Sequence, residues 1–510
     1  MIRNHLFLAG LLIFLEGYCV LSLEILGTRL LGPAFGASIN LWAALIAVTL
    51  LSLSLGYGLG GRLADRYHKH QILVVIIWLS ALWTLIIPFI KKDIVDAFFF
   101  LGLKWDMLLS AVFLFSLPLT LLGMVTPFLL RLCIESLSTI GHIAGRLYAT
   151  STVASIFAAV LTGFFFIPIF GTFNVAMSVV LVLGSMSLLA AFIYSGHVRG
   201  LPLLINTPLL LVALSLIVFK GPTQDPRLLD IQESPYGEIR VVDLDWGKFL
   251  IIQGEIHSGI NKSFNSSTFV YPALLQSVKD IFEIPGEGLV IGLGAGTTIK
   301  PFADAQWQMS AVEINPVIID MAYKHFDLSI PKSRAYAVDG RQFLHETNNS
   351  FDIIVFDAFG GSGVPFHLLT QEVFELASRR LNSNGVLAIN IISDGWDSLL
   401  IHSVLNTLEQ VFPHVIALPT SNNKDAVQNI IMFASDLDIA DKWQRSFKQD
   451  SIENTFNRGV VVTAYQNLFT GKPHGMVLTD NHNPSDLWAD EINFKTRSYK
   501  NKTIEPSLLW

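Results

Sequence analysis

Four short stretches in the second half of the chain carry residue types that could do chemistry together. Gly292-Leu-Gly-Ala-Gly296 directly follows an apolar run. Glycines at 292, 294 and 296 permit a tight turn and let a ligand approach the backbone. Glu313 stands 21 residues after Gly292, at the end of the next apolar run. An acidic residue there can accept hydrogen bonds from both hydroxyls of a ribose. Asp339-Gly340 closes a third run, and its carboxylate could accept from an adenine amino group. Alone, Asp-Gly is an ordinary turn; its place after the third run brings it to the same edge as Glu313. Asp357 ends a fourth run, in Phe356-Asp-Ala-Phe-Gly-Gly-Ser-Gly-Val-Pro365. A carboxylate at that point can steer a cationic amine and accept its proton. The Gly-rich segment after it reads as a lip. Together the four stretches describe a nucleoside site with a general base beside it.

The elements that must position these residues are legible in the same stretch. Gly288–Gly292, Ser310–Ile314, Ala335–Val338, Phe351–Phe356 and Gly385–Asn390 read as buried strands. The gaps, such as Pro316–His325 and Thr370–Leu381, read as helices. Strand–helix alternation argues for a parallel sheet with covering helices. Phe412–Leu418 and Asn429–Phe433 could close it as later strands. Before it, Ile239–Asp243 and Phe249–Gln253 read as a hairpin with Gly247 in the turn, followed by a helical stretch from Phe269 to Ile281.

The first half of the chain is a different material. Of 510 residues, 52 % are hydrophobic and only 15 % charged, against about 25 % charged in ordinary soluble proteins. The deficit lies in residues 1–219. A bilayer core needs about 20 apolar residues per helix, and seven stretches qualify: 5–31, 38–60, 72–90, 107–131, 145–170, 173–195 and 201–219. The first is too long for a cleaved signal peptide and lacks a clean A-x-A site. The Gly56–Gly61 segment suits close helix packing. Seven Lys or Arg (Arg3, Arg62, Arg66, Lys69, Arg131, Arg146, Arg199) fall on one side and four (Arg29, Lys91, Lys92, Lys104) on the other, a bias toward a cytoplasmic N-terminus. Seven spans would then put the C-terminal half outside, whereas a nucleoside cofactor made in the cytosol puts it inside; the cytoplasmic placement is the one expected. Glu16 and Glu24 lie eight positions apart on the first span, near one helix face. They could pair locally or lie near headgroups, or form an acidic path for a cation.

Other classes are disfavoured. A net charge of −7, without a basic patch interleaved with aromatics, gives nucleic acid nothing to grip. The two cysteines, Cys19 and Cys133, sit in or beside apolar stretches and form no metal motif. No His and Asp spacing matches a known ligand set, so no metal is expected. His257, in Gln253-Gly-Glu-Ile-His-Ser-Gly259, could lie over the site or be structural. Thr479-Asp480-Asn-His482 has no assigned role.

The run Gly-x-Gly-x-Gly-Thr is not the dinucleotide pattern Gly-x-Gly-x-x-Gly/Ala. It looks like class I methyltransferases and aminopropyltransferases. The chain as a whole resembles the spermidine synthase (polyamine aminopropyltransferase) family in its fused form, with a multi-span membrane domain ahead of the catalytic one. In the first half, Leu23-Glu24 to Arg29 and Gly56-x-x-x-Gly60-Gly-Arg-Leu-Ala-Asp65 are similar to that subfamily. In the second, Glu233-Ser-Pro-Tyr-Gly237 resembles the entry strand and Thr268-Phe-Val-Tyr271 the tyrosine-bearing helix. Gly292 to Gly296, Glu313, Asp339-Gly340 and Asp357 follow in the family's order.

The resemblance implies a seven-span helical domain (1–220), a β-hairpin region with an entry helix (221–285) and a Rossmann-like, class I methyltransferase-like domain (286–510). It implies a multi-pass protein of the cell membrane using S-adenosylmethionine or its decarboxylated form, without a metal. Glu313 would bind ribose, Asp339 and Gly340 the adenine, and Asp357 would deprotonate an amine; Tyr271, Gln253 and His257 would face that substrate. Expected partners are the bilayer and a small amine, with self-association left open. The chain also departs from the family. Ala295 replaces an Asp that holds the aminopropyl ammonium, Pro272-Ala273 replace His-Glu, His257 takes the place of a Gln, and Gly360 that of a second Asp. They put putrescine as substrate in question, and Ala295 favours methyl transfer as an alternative to aminopropyl transfer; lyase or cyclising chemistry is another alternative. An adenosyl-ligand-binding transporter or sensor is a further one.

Overall fold

A computed structural model describes residues 2–36, 39–67, 69–133, 140–195, 200–219, 225–359, 364–446, 455–469 and 472–486, with Trp488, Ile492, Ile504, Glu505 and Leu508 beyond. The chain divides into two compact units: Met1–Asp225 with Glu233–Glu238, and Pro226–Gln232 with Ile239–Trp510.

The first unit is helical. Among the described residues seven helices are long and apolar enough to cross a membrane: Phe7–Phe35, Ile39–Arg66, His70–Leu101, Leu103–Cys133, Ile140–Phe170, Thr172–Tyr194 and Leu201–Phe219. They match the seven stretches read from the sequence. The second span buries small and polar residues beside Leu41, Leu45 and Val48, and turns other large apolar residues outward. Thr49, Ser52, Gly56 and Gly60 are buried, while Leu50, Leu51 and Leu55 are more than half exposed. A leucine-bearing outer face over a seam of small residues is a pattern lipid favours, because helices associate there through close packing. A Cβ on Gly56 would lie 2.4 Å from the Thr120 carbonyl oxygen of the fourth span, so the glycine is what admits this contact. The fifth span carries a widened turn of π-helix at Leu161–Phe166, where buried Thr162 meets Ser22 of the first span, Oγ1 to Oγ, at 3.0 Å.

The second unit begins with a five-stranded sheet, β1 (Leu228–Ser234), β2 (Gly237–Asp243), β3 (Gly247–Ile252), β4 (Glu255–Asn261) and β5 (Ser266–Ser267), paired in chain order. The expected hairpin is β2–β3, joined through Leu244 and Gly247. Gln253 (φ +49) and Gly254 (φ +73) form the two-residue turn into β4, the geometry that a right-twisted hairpin favours. The entry helix starts at Tyr271, later than the sequence pattern suggests. Pro272 stands in its first turn, and the stretch from Ser277 to Ile281 tightens to 3₁₀.

Seven strands follow: β6 (Glu287–Ile291), β7 (Gln308–Glu313), β8 (Ala335–Ala337), β9 (Phe351–Phe356), β10 (Leu381–Ser393), β11 (His414–Pro419) and β12 (Gln428–Ser435). Their order across the sheet is β11-β12-β10-β9-β6-β7-β8. β8, β7, β6, β9 and β10 run parallel, and β12 is inserted antiparallel between β10 and β11. This is the α/β, methyltransferase-like sheet expected from the sequence. Its strands are apolar runs because both faces are covered. Leu289 and Ile291 face one core, Val290 the other. The chain order reverses at β6, with β7 on one side and β9 on the other, and the crevice beyond such a switch point is where open α/β sheets bind ligands.

Candidate active site

The cavity at that switch point is built from strand ends. Gly292 takes φ +94 immediately after β6, a conformation that costs glycine little and other residues much. A Cβ there would lie 2.4 Å from the Asp357 carbonyl oxygen, so only glycine lets the β6 loop and the β9 end touch. The Asp357 N–H donates to Ile291 O at 2.8 Å, which fixes this carboxylate at the mouth of the sheet.

Asp357 is held by a set of donors from three elements. Thr298 Oγ1 donates to its Oδ2 at 2.7 Å, and Tyr271 Oη to the same oxygen at 3.4 Å. Asn390, from β10, donates through Nδ2 to Oδ1 at 2.8 Å. Asn429, from β12, in turn donates to Asn390 Oδ1 at 2.8 Å. Burial pushes the Asp357 carboxyl up to about 6, against the pull of the hydrogen bonds from Asn390, Thr298 and Tyr271. A carboxylate so placed is mostly ionised at neutral pH yet basic enough to take a proton.

Glu313 ends β7 and is 8 % exposed. Leu293 N–H donates to its Oε2 at 3.1 Å and Asn315 N–H to its Oε1 at 3.0 Å. Burial raises its pKa, and backbone donors oppose the rise. Both oxygens are thus oriented by the backbone, and the residue lines the cavity. Asp339 caps the helix Gly340–Glu346 through Gln342 N–H, 3.0 Å from Oδ1. Its Oδ2 meets His367 Nε2 at 2.9 Å. That hydrogen bond, offset in part by burial, holds the carboxyl below its usual range.

Of the residues singled out in the sequence, Gly292, Gly294, Gly340, Glu313, Asp339, Asp357, Tyr271 and His257 line this one cavity. Gly296 (φ +77) completes the glycine loop but is not among the lining residues, and Gln253 sits in the β3–β4 turn, also outside them. Ala295 is not among the lining residues and is 1 % exposed, in an apolar cluster with Ile239, Val241 and Leu250. Gly360 and the rest of the glycine-rich lip lie outside the described residues.

Sequence reasoning missed Thr298, Asn390, Asn429 and His367. Asn390 carried a signal, since an Asn buried in an otherwise apolar strand needs a polar partner. Thr479-Asp480-Asn-His482 acquires a place. Arg341 donates both terminal nitrogens to the Asp480 carboxylate (2.6 and 2.5 Å), which Thr370 also reaches at 2.9 Å. The segment ties the Asp339-capped helix to Thr370, the N-cap of Gln371–Arg380. Elsewhere, Asp397, His402 and His474 bring one ligand atom each within 4.8 Å of one another. His402 uses both ring nitrogens there, toward Asp397 Oδ1 at 3.0 Å and the His474 N–H at 3.4 Å.

No family model matches the chain. Among curated proteins, a polyamine aminopropyltransferase of Sulfurisphaera tokodaii is 28 % identical over 201 residues, 38 % of this chain and 65 % of that one. Over about two fifths of its length the chain is related in sequence to polyamine aminopropyltransferases. The match spans slightly less than two thirds of that relative's length. An N-terminal histidine N-methyltransferase of Emericella nidulans is 33 % identical over 134 residues, 24 % of this chain and 23 % of that one. Among solved structures, a probable spermidine synthase from Corynebacterium glutamicum aligns over 46 % of this chain and 94 % of its own, at 21 % identity and a TM-score of 0.38. Tyr271, Gly292, Glu313, Asp339 and Asp357, on which the resemblance read from the sequence rests, all line this cavity.

Proposed function

We propose that the chain is a membrane-anchored transferase that moves an alkyl group from an adenosyl sulfonium donor to an amine. The observation that carries this reading is Asp357, a half-buried carboxylate with three oriented donors, lining the same cavity as Glu313 and Asp339. Glu313 would take the ribose hydroxyls, and Asp339 with Gly340 the adenine edge. The amine lone pair attacks the carbon bonded to sulfur. The carbon–sulfur bond breaks, its electron pair stays on sulfur as a thioether, and the amine's surplus proton passes to Asp357. The protein's share is orientation and proton acceptance. The relatives named aminopropyltransferase support an aminopropyl donor, with methylthioadenosine as the leaving thioether.

Methyl transfer is the second reading, favoured by one observation. The glycine loop offers no carboxylate for an aminopropyl ammonium, because residue 295 is alanine and packs into an apolar cluster. Purified protein offered S-adenosylmethionine and its decarboxylated form separately decides between them. Methylthioadenosine with an alkylated amine supports aminopropyl transfer, and adenosylhomocysteine supports methyl transfer. Binding of neither donor would sink both.

A further inference from the structure

The seven-span unit holds a carboxylate that the transferase reading does not use. Glu16 lies on the first span, Phe7–Phe35, and is 2 % exposed. At 1.5 Å of rise per residue it sits about 7 Å from the midpoint of that span, well within a hydrocarbon core about 30 Å thick. Two hydroxyls donate to its Oε2: Ser151 of the fifth span at 3.1 Å and Thr126 of the fourth at 3.4 Å. Among the described residues no hydrogen bond reaches Oε1 and no cationic side chain pairs with the group. Either protonation state leaves a demand on Oε1. As a carboxylate, its charge is unmatched in a medium where that is costly. As an acid with Oε2 accepting, its proton sits on Oε1 and lacks an acceptor.

The surroundings are built from oxygen. A Cβ on Gly17 would lie 2.5 Å from the Ser151 carbonyl oxygen, so the glycine brings the fifth span close enough to set Ser151 beside Glu16. Ser155 Oγ donates to Gly17 O at 3.1 Å. The same seam continues to the buried Ser22–Thr162 contact at the π-helical turn, a distortion frequent at functional sites. One negative charge, hydroxyl oxygens from two other spans and no fixed positive charge are the chemistry of a hard, small cation. We propose that Glu16, with Ser151 and Thr126, binds a small monovalent cation, a proton or an alkali ion, inside the membrane unit.

Dicyclohexylcarbodiimide, which modifies protonated carboxyls in apolar surroundings, tests this on the full-length protein in detergent, with modified peptides mapped by mass spectrometry. Glu16 should be modified, and Glu16→Gln should remove that signal. If the ion is sodium or potassium, adding its chloride should slow modification several-fold relative to choline chloride, and Ser151→Ala or Thr126→Val should weaken that protection. If the ion is a proton, the rate should fall as pH rises and ignore both salts. A Glu16 that is modified only after unfolding in SDS, or at a rate indifferent to pH and to both cations, overturns the proposal.

Discussion

Asn390 Nδ2 lies 2.8 Å from Asp357 Oδ1, and Asn429 Nδ2 lies 2.8 Å from Asn390 Oδ1. The relay runs across three neighbouring strands, β12 to β10 to β9, and ends on the proposed base. It explains why an amide stands in the apolar interior of β10. Replacing Asn390 by Leu removes the donor and leaves the Asn429 amide without its acceptor. Loss of turnover by one to two orders of magnitude, with donor binding intact, is the expected result. Single-turnover rates and calorimetric donor binding measure the two separately.

Asp357 itself should account for the larger part of proton acceptance. Asp357→Asn keeps the shape and removes the basicity. General-base contributions run to about 10²–10⁴-fold, so turnover should fall by about that factor while the donor still binds. Unchanged turnover would refute the assigned role.

The pH dependence has a definite sign. The ordinary value of an aspartic acid, 3.8, is pushed up to about 6 here, by burial above all. The base works ionised, so activity should be low at pH 5 and rise through about 6 toward neutrality. Thr298→Val deletes a donor that stabilises the ionised form. A hydrogen bond to a charged group is worth about 1.5 kcal/mol or more, which is about one pH unit. The acidic limb of kcat/KM should therefore move upward by about that much, and Thr298→Ser should restore it.

Most of this frame is legible in the sequence because it rests on local pattern. Apolar runs of strand length, separated by helical stretches, fix the order of β6 to β10. The acidic residues ending β7 and β9 stand out against those runs. The composition break near residue 220 marks the seven-span half equally well. What could not be read is whatever depends on distant pieces meeting. Asn429 reaches Asn390 only through the antiparallel insertion of β12. His367 reaches Asp339 only because the turn Phe366–Leu368 lies beside the residues that follow β8. Ala295 shows the same limit from the other side. The resemblance implies a substrate-facing carboxylate at this position, but in the fold Ala295 is buried with residues of β2 and β3.

That placement gives a prediction about engineering the donor preference. Ala295→Asp would install the residue that the resemblance to soluble spermidine synthases implies, but among Ile239, Val241 and Leu250. An unpaired carboxylate in apolar surroundings is costly. The variant should lose stability by about 2–4 kcal/mol, the range of severe core substitutions, without gaining preference for the decarboxylated donor. Thermal unfolding of the full chain in detergent reads the first, and competition between the two donors reads the second.

The Arg341–Asp480 fork offers a test of how the adenine end is positioned. Arg341 follows the Asp339-Gly340 pair directly, and its two bonds to Asp480, with Thr370 on the same carboxylate, hold that helix against the N-terminus of Gln371–Arg380. The pair is partly exposed, so its worth to global stability is small. Its effect should appear in donor binding, because Asp339 caps the helix that Arg341 anchors. Asp480→Asn keeps the hydrogen bonds from Thr370 and one arm of Arg341 but loses the charge. It should weaken donor affinity several-fold and leave the maximal rate nearly unchanged. The double variant Arg341→Gln, Asp480→Asn should be no worse than either single change, as a double-mutant cycle on the donor Kd would show. Equal losses in kcat would mean instead that the fork acts on Asp357 rather than on Asp339.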